Sequence, residues 1–413
     1  MAYVPIAFIL AGMTAYTVLA GADFGAGLWT LLSLRPAGAP VRDHARHAMG
    51  PVWEANHVWL IFVLVVCWTG YPVAYGSITS TLSAPLLIAA IGIIFRGAAY
   101  ALRGVSGPSR FAEQLLGAGS LIAPFALGTA VGAIAQGRVP VGNAAGNLVT
   151  SWLNPGSVLV GVLAVAFSGY LAAVYLAADA ARPSPEPAMA SAFRTRALYA
   201  GVASGALALA GVVVMRSSGL SLLHGPALVF VIISGVAGLG TLLLCWMRRF
   251  GLARLTAAAA VAAVVVGWTA AQAPRLLPGL TVTEAAAGRS TLVALIVAVC
   301  CGAVVLVPSL VLLFTLFLRG RLDTPDHPVP SPLLSDAAPV AASAPVAAPA
   351  TVAAPPLPRG ARRRTAAALV GLLGGSGLLV FADATWAHAL GVALLVLCAV
   401  SAFALAMPGP GQE

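Results

Sequence analysis

The sequence predicts an all-α polytopic membrane protein, with about nine core transmembrane helices and a C-terminal transmembrane hairpin. Three observations predict it. The 413-residue chain is 60% hydrophobic and only 8% charged, whereas about a quarter of the residues of an average chain are charged. Its apolar residues gather in runs at roughly 5–33, 50–69, 77–102, 113–136, 156–181, 196–216, 226–247, 252–271 and 291–318, each long enough to cross ~30 Å of hydrocarbon as a helix. The 22 basic residues, all arginine, fall mainly in alternate connections between those runs.

The arginines give the orientation. With the N-terminus outside, the inner connections hold Arg35, Arg42, Arg46, Arg103, Arg110, Arg182, Arg194, Arg196, Arg248, Arg249, Arg254, Arg319 and Arg321. Arg96 lies near the inner end of its span, and the outer side holds only Arg138, Arg216, Arg275 and Arg289. This is a positive-inside bias, and the opposite orientation inverts it. Scattered in this way, a formal charge of +10 does not form the basic face of a nucleic-acid binder. The five cysteines all lie in apolar runs, and none forms a C-x-x-C pair. No metal site is expected. The N-terminus, MAYVPIAFIL, lacks a positive leader region, so the first run is expected to be a retained span.

Composition divides the chain into three parts. Residues 1–320 form the transmembrane core. Residues 321–364 are a Pro/Ala-rich linker with a basic end, expected on the cytoplasmic side. Residues 365–413 hold two short apolar runs, at roughly 365–382 and 389–407, read as a hairpin with a tail. Both ends of that hairpin are expected to face the cytoplasm.

The chemistry-bearing residues collect at one depth. Ionisable groups inside a span are costly and usually mark an ion or proton path. In Met49–Tyr75, Glu54, Asn56 and His57 sit in the first turns of a helix, flanked by Trp53 and Trp59. Glu54 and His57 are three apart and share a helix face. At 1.5 Å per residue, Asp23 and Arg96 each lie about 27–28 Å from the outer boundary, and Glu54 about 6 Å from the inner one. Three helices thus supply two acids and a base in the cytoplasmic third. A structural reading stands beside this one. Asp23 and Arg96 would then be a packing pair, and the glycines of GADFGAG would serve close helix contact.

Four motifs carry a resemblance. GADFGAGLW (Gly21–Trp29), GPVWEANHVWL (Gly50–Leu60), FRGAAYALRG (Phe95–Gly104) and GWTAAQAPRLLPGLTVTEAAA (Gly267–Ala287) resemble subunit II of cytochrome bd-type quinol oxidases. Leu306–Phe317 is similar to that subunit's last span. The resemblance implies two four-helix bundles plus a peripheral helix. It also implies a bacterial cell-membrane subunit that supports a haem-bearing subunit I during quinol oxidation and the reduction of dioxygen to water. The haems b and d are then expected in that partner, with none bound tightly here. Membrane lipid, quinone and small accessory membrane subunits complete the expected surroundings.

By motif position the resemblance makes Asp23, Glu54 and Arg96 part of a cytoplasmic proton path, with His57 added by this chain's own reading. Trp53, Asn56, Trp59 and Arg96 are the supporting residues. Many members have aspartate where this chain has Glu54 and glutamine where it has His57, and the region beyond about 322 has no counterpart in the family pattern. The rival reading is a proton- or ion-coupled secondary transporter using Asp23, Glu54 and Arg96. It is disfavoured because the charges lie near one face and not at the midplane.

Overall fold

The structure, a computed structural model, describes residues 1–49, 53–106, 110–181, 187–217, 219–220, 222–318 and the single residue 390. Twelve α-helices lie among them. They are α1 (Val4–Leu32), α2 (Ala39–Met49), α3 (Trp53–Gly70), α4 (Pro72–Thr81), α5 (Ser83–Ser106), α6 (Arg110–Ala135), α7 (Pro155–Asp179), α8 (Pro187–Ser217), α9 (Gly225–Trp246), α10 (Phe250–Gln272), α11 (Val282–Ala285) and α12 (Arg289–Leu318). Two short strands, β1 (Arg275–Leu277) and β2 (Leu280–Thr281), form an antiparallel hairpin between α10 and α11. The chain divides into a unit of residues 1–299 and one of residues 300–413. In the second, the description covers the end of α12 and residue 390, so the expected linker and C-terminal hairpin lie outside the described residues.

Eight of the helices are long and apolar enough to cross a membrane. The expected second span is present as a shorter apolar helix, Asn56–Gly70. The expected span at 77–102 differs more. The helix stops at Leu82, with φ −102° and ψ 23°, and α5 restarts at Ser83. Pro85 gives the reason. In one continuous helix its ring would clash with the carbonyl four residues back, whereas in a first turn it is tolerated. Helix α8 begins at Pro187, nine residues before the expected start, because polar first turns carrying Arg194 and Arg196 extend the apolar run.

The helices of the first unit pack as two groups. Helices α1, α3, α5 and α6 pair among themselves, as do α7, α8, α9 and α10, and α1 and α6 both lie against α7. Close approach comes from small residues. A Cβ on Gly25 would overlap the Ser168 carbonyl of α7, and one on Gly27 would overlap the Ser120 hydroxyl of α6. Glycine is therefore required at both crossings, as small residues are at membrane helix interfaces. Large apolar side chains face outward, including Ile61, Leu209 and Leu239 at 60%, 69% and 70% exposure. In water such a surface would be a liability, whereas against lipid tails it is neutral.

One end of the unit is closed by loops. Tyr71, Leu82, Val139, Trp152, Leu277 and Val282 form a buried cluster that joins the α3–α4 corner, the segment before α7, and the hairpin with α11. At the other end, α2 is amphipathic and lies beside α1 and α7. The sequence reading placed it within a connection. Its charged residues mask a short helical period in a segment too polar to be a span.

Candidate functional site

The Asp23 carboxylate and the Arg96 guanidinium meet inside the protein. Oδ2 of Asp23 lies 2.6 Å from Nη2 of Arg96, and the two side chains are 1% and 0% exposed. Arg96 Nη1 also donates to the Ser120 hydroxyl in a short contact. The Ser120 hydroxyl in turn donates to the Leu116 carbonyl at 2.6 Å. Three helices build this arrangement: α1 supplies Asp23, α5 Arg96 and α6 Ser120. Taking two charges out of water costs several kcal/mol per ion. The mutual attraction of the pair and the Ser120 contact offset that cost, while Asp23 Oδ1 and Arg96 Nε meet no hydrogen-bond partner among the described residues.

Phe24 links the pair to His57. The Arg96 guanidinium carbon lies 4.7 Å from the Phe24 ring centroid. The His57 imidazole stacks on the same ring at 6.1 Å, and it meets Tyr16 edge-on at 6.3 Å. Asn56, 3% exposed, donates to the Leu19 carbonyl of α1 at 3.3 Å and so ties the start of α3 to α1. Trp59 packs against the buried cluster of Tyr16, Ala20, Phe24 and Ala123, and edge-on to Phe62 at 6.5 Å. The structure thus brings Asp23, Arg96, His57, Asn56 and Trp59 into one region. Trp53 and Glu54 occupy the first turn of α3, but their side chains lie outside the described residues.

Two residues near the site escaped the sequence reading. Ser120 is one of many small residues on α6, and nothing in its spacing marks it as the partner of an arginine. Glu113, with its side chain 8% exposed, lies in the first turn of α6, where the helix dipole favours an acid. Its Oε2 is 3.0 Å from Nε of Arg42, and Oε1 is 3.8 Å from Nη2 of Arg46. Arg46 also pairs with Asp43 at 2.7 Å. This second ionic cluster pins α2 to α6. The signal was present as three charges flanking the spans, but only folding brings α2 against α6.

The histidine at this site is His57. His57 is packed between two aromatic rings. Among the described residues, no group of three or more His, Cys, Asp or Glu side chains converges at metal distance. A groove of about 590 Å³ lies between α1 and α10, but its walls are mainly alanine and valine, with no histidine.

Comparison with known proteins places this geometry in a family. The model of cytochrome bd terminal oxidase subunit II matches residues 1–317. The chain belongs to the cytochrome bd terminal oxidase subunit II family. It is 29% identical over 150 residues to cytochrome bd ubiquinol oxidase subunit 2 of Bacillus subtilis (strain 168), an alignment covering 35% of this chain and 43% of that protein. The chain spans less than half the length of the curated relatives it matches. In fold it is similar to a chain of the bd oxidase from Geobacillus thermodenitrificans, with a TM-score of 0.57 and 11% identity, over 77% of this chain and 98% of that one. The subunit II match ends at residue 317, close to the end of α12.

Proposed function

We propose that this chain is subunit II of a quinol:oxygen oxidoreductase in the bacterial cell membrane, with its N-terminus outside and the linker inside. It supports a haem-bearing subunit I and contributes to a cytoplasmic proton path. The observation that carries the path is the buried Asp23–Arg96 pair with His57 one ring away. Reducing dioxygen to water consumes protons, and an acid–base chain can deliver them stepwise. Asp23 would be the charged relay held in place by Arg96, while Glu54 and His57 would refill it from the start of α3. Asn56 and Trp59 keep that end of α3 against α1, and Trp53 is kept as a supporting residue by its place in the motif. The haems supply the redox chemistry and are assigned to the partner, subunit I, on the family's pattern.

The transporter reading is weaker. A transported ion must reach its site from either side, and the Asp23–Arg96 pair is at most 1% exposed. Small accessory subunits, lipid and quinone remain part of the proposed assembly. Co-purification tests the assignment. Tagged chain from its native membrane should bring down a second polytopic chain with b- and d-type haem absorbance and quinol-driven oxygen uptake. A colourless chain that transports protons or ions by itself would overturn it.

A further inference from the structure

Arg196, near the start of α8, rests against two aromatic rings. Its guanidinium carbon lies 5.0 Å from the Phe193 ring centroid and 5.7 Å from that of Trp29. Both rings are fixed. The Trp29 indole N–H donates to the Gly169 carbonyl of α7 at 2.9 Å. Phe193 is fully buried and lies 5.7 Å from the His44 ring of α2, whose Nε2 is 3.0 Å from the Leu176 carbonyl of α7. Four helices therefore hold the two aromatic walls on which this cation rests.

What the cation lacks is an anion. Among the described residues, Arg42 and Arg46 pair with Glu113, and Arg96 with Asp23. Arg194, two residues away, uses its donors on the Cys245 and Trp246 carbonyls that end α9, at 3.0 and 3.1 Å. Arg196 is half-buried and has no such partner among the described residues. A half-buried guanidinium with no protein acceptor leaves its donors to water or to an anion. An aromatic wall covers the faces of the cation and leaves its edge of N–H groups free. That planar fork matches phosphate oxygens better than any other common anion at a membrane surface.

We propose that Arg196, held between Trp29 of α1 and Phe193 of α8, binds the phosphate of an anionic membrane phospholipid. The position suits a lipid and not a soluble ion. Trp29 and Trp246 both lie at the ends of spans on this side, as in an interfacial aromatic belt. Further along α8 from Arg196, Tyr199 and Val202 are 76% and 61% exposed and offer an apolar track for acyl chains. The arginine distribution assigns this end to the cytoplasmic leaflet, where anionic headgroups attract basic side chains.

The test uses the whole oxidase complex, with phosphatidylglycerol as the probe. Wild-type and Arg196→Gln complexes are stripped in detergent, and thermal stability is followed as phosphatidylglycerol is added back. Retained lipid is counted by native mass spectrometry. The expected result is a half-saturating lipid concentration about five-fold higher in Arg196→Gln, the effect of one basic residue at a membrane surface. Arg196→Lys keeps the charge but loses the fork and should fall between the two. If Arg196→Gln fails to assemble, Arg196→Lys decides the matter, and a wild-type response there overturns the proposal. An identical response of Arg196→Gln and wild type also overturns it. Equal stabilisation of the wild type by inorganic phosphate would replace the lipid with a free anion, and so contradict the lipid assignment.

Discussion

Asp23 Oδ2 lies 2.6 Å from Arg96 Nη2 in a site where neither side chain is more than 1% exposed. Removing one member leaves the other as an unpaired buried charge, which costs about 3–5 kcal/mol. Replacing both with neutral residues of similar shape removes the charge problem altogether. Asp23→Asn and Arg96→Gln should therefore each lower the thermal midpoint of the purified complex sharply, while the double variant recovers most of the loss. Additive losses in the double variant would show that the two residues are not coupled.

Gly27 is the second element of the same arrangement. A Cβ there would overlap the Ser120 hydroxyl and come within 3.1 Å of Arg96 Nη1. Gly27→Ala should cost about 1–3 kcal/mol, the usual range for overpacking. The control is Gly205→Ala on α8, where a Cβ meets nothing within 4 Å and stability should hold or rise slightly. Denaturant titration of both complexes separates them. Equal midpoints would mean that the α1–α6 crossing is loose.

How much of this was legible in the chain follows from which distances are local. Asp23 and Arg96 could be placed at one depth because helical rise converts sequence position into height, and a charge inside a span is conspicuous. Ser120 could not be found in this way, since a hydroxyl costs little in a membrane helix and small residues fill α6. Likewise α2 is too polar to register as a span, and its anchor, Glu113, is 71 residues from Arg42 in sequence. The break at Leu82 was available from Pro85, but the apolar run around it outweighed that signal. The hairpin and α11 depend on the Tyr71 cluster, which no local pattern announces.

The loop end of the unit should respond to acid. Glu284 accepts from the Thr281 backbone N–H at 2.9 Å and from its hydroxyl at 2.8 Å, closing a capping box on α11. These bonds hold its carboxyl below the usual carboxylate range. A depressed folded value contributes stability above the unfolded value, and that contribution is lost as pH falls through the folded one. Glu284→Gln should therefore be less stable than wild type at neutral pH, with the gap closing on acidification. Thermal midpoints measured down a pH series check this, and a gap that widens in acid would contradict it.

The topology has its own test. Eighteen of the 22 arginines lie on the side assigned to the cytoplasm, so a cysteine at Ser343→Cys in the linker should resist an impermeant thiol reagent in intact cells. Permeabilised cells should label readily. Labelling without permeabilisation would reverse the orientation, and with it the entry side of the proposed proton path.

The central claim is that the Asp23 carboxylate carries protons and does not merely hold helices together. The most direct measurement is quinol-driven oxygen uptake by the complex bearing Asp23→Asn together with Arg96→Gln, since this pair leaves no buried charge unpaired. The account predicts an assembled complex with a normal haem spectrum and uptake reduced about ten-fold or more, the low end of what losing an acid–base group costs. Uptake at the wild-type rate would contradict it and leave the pair a purely structural contact.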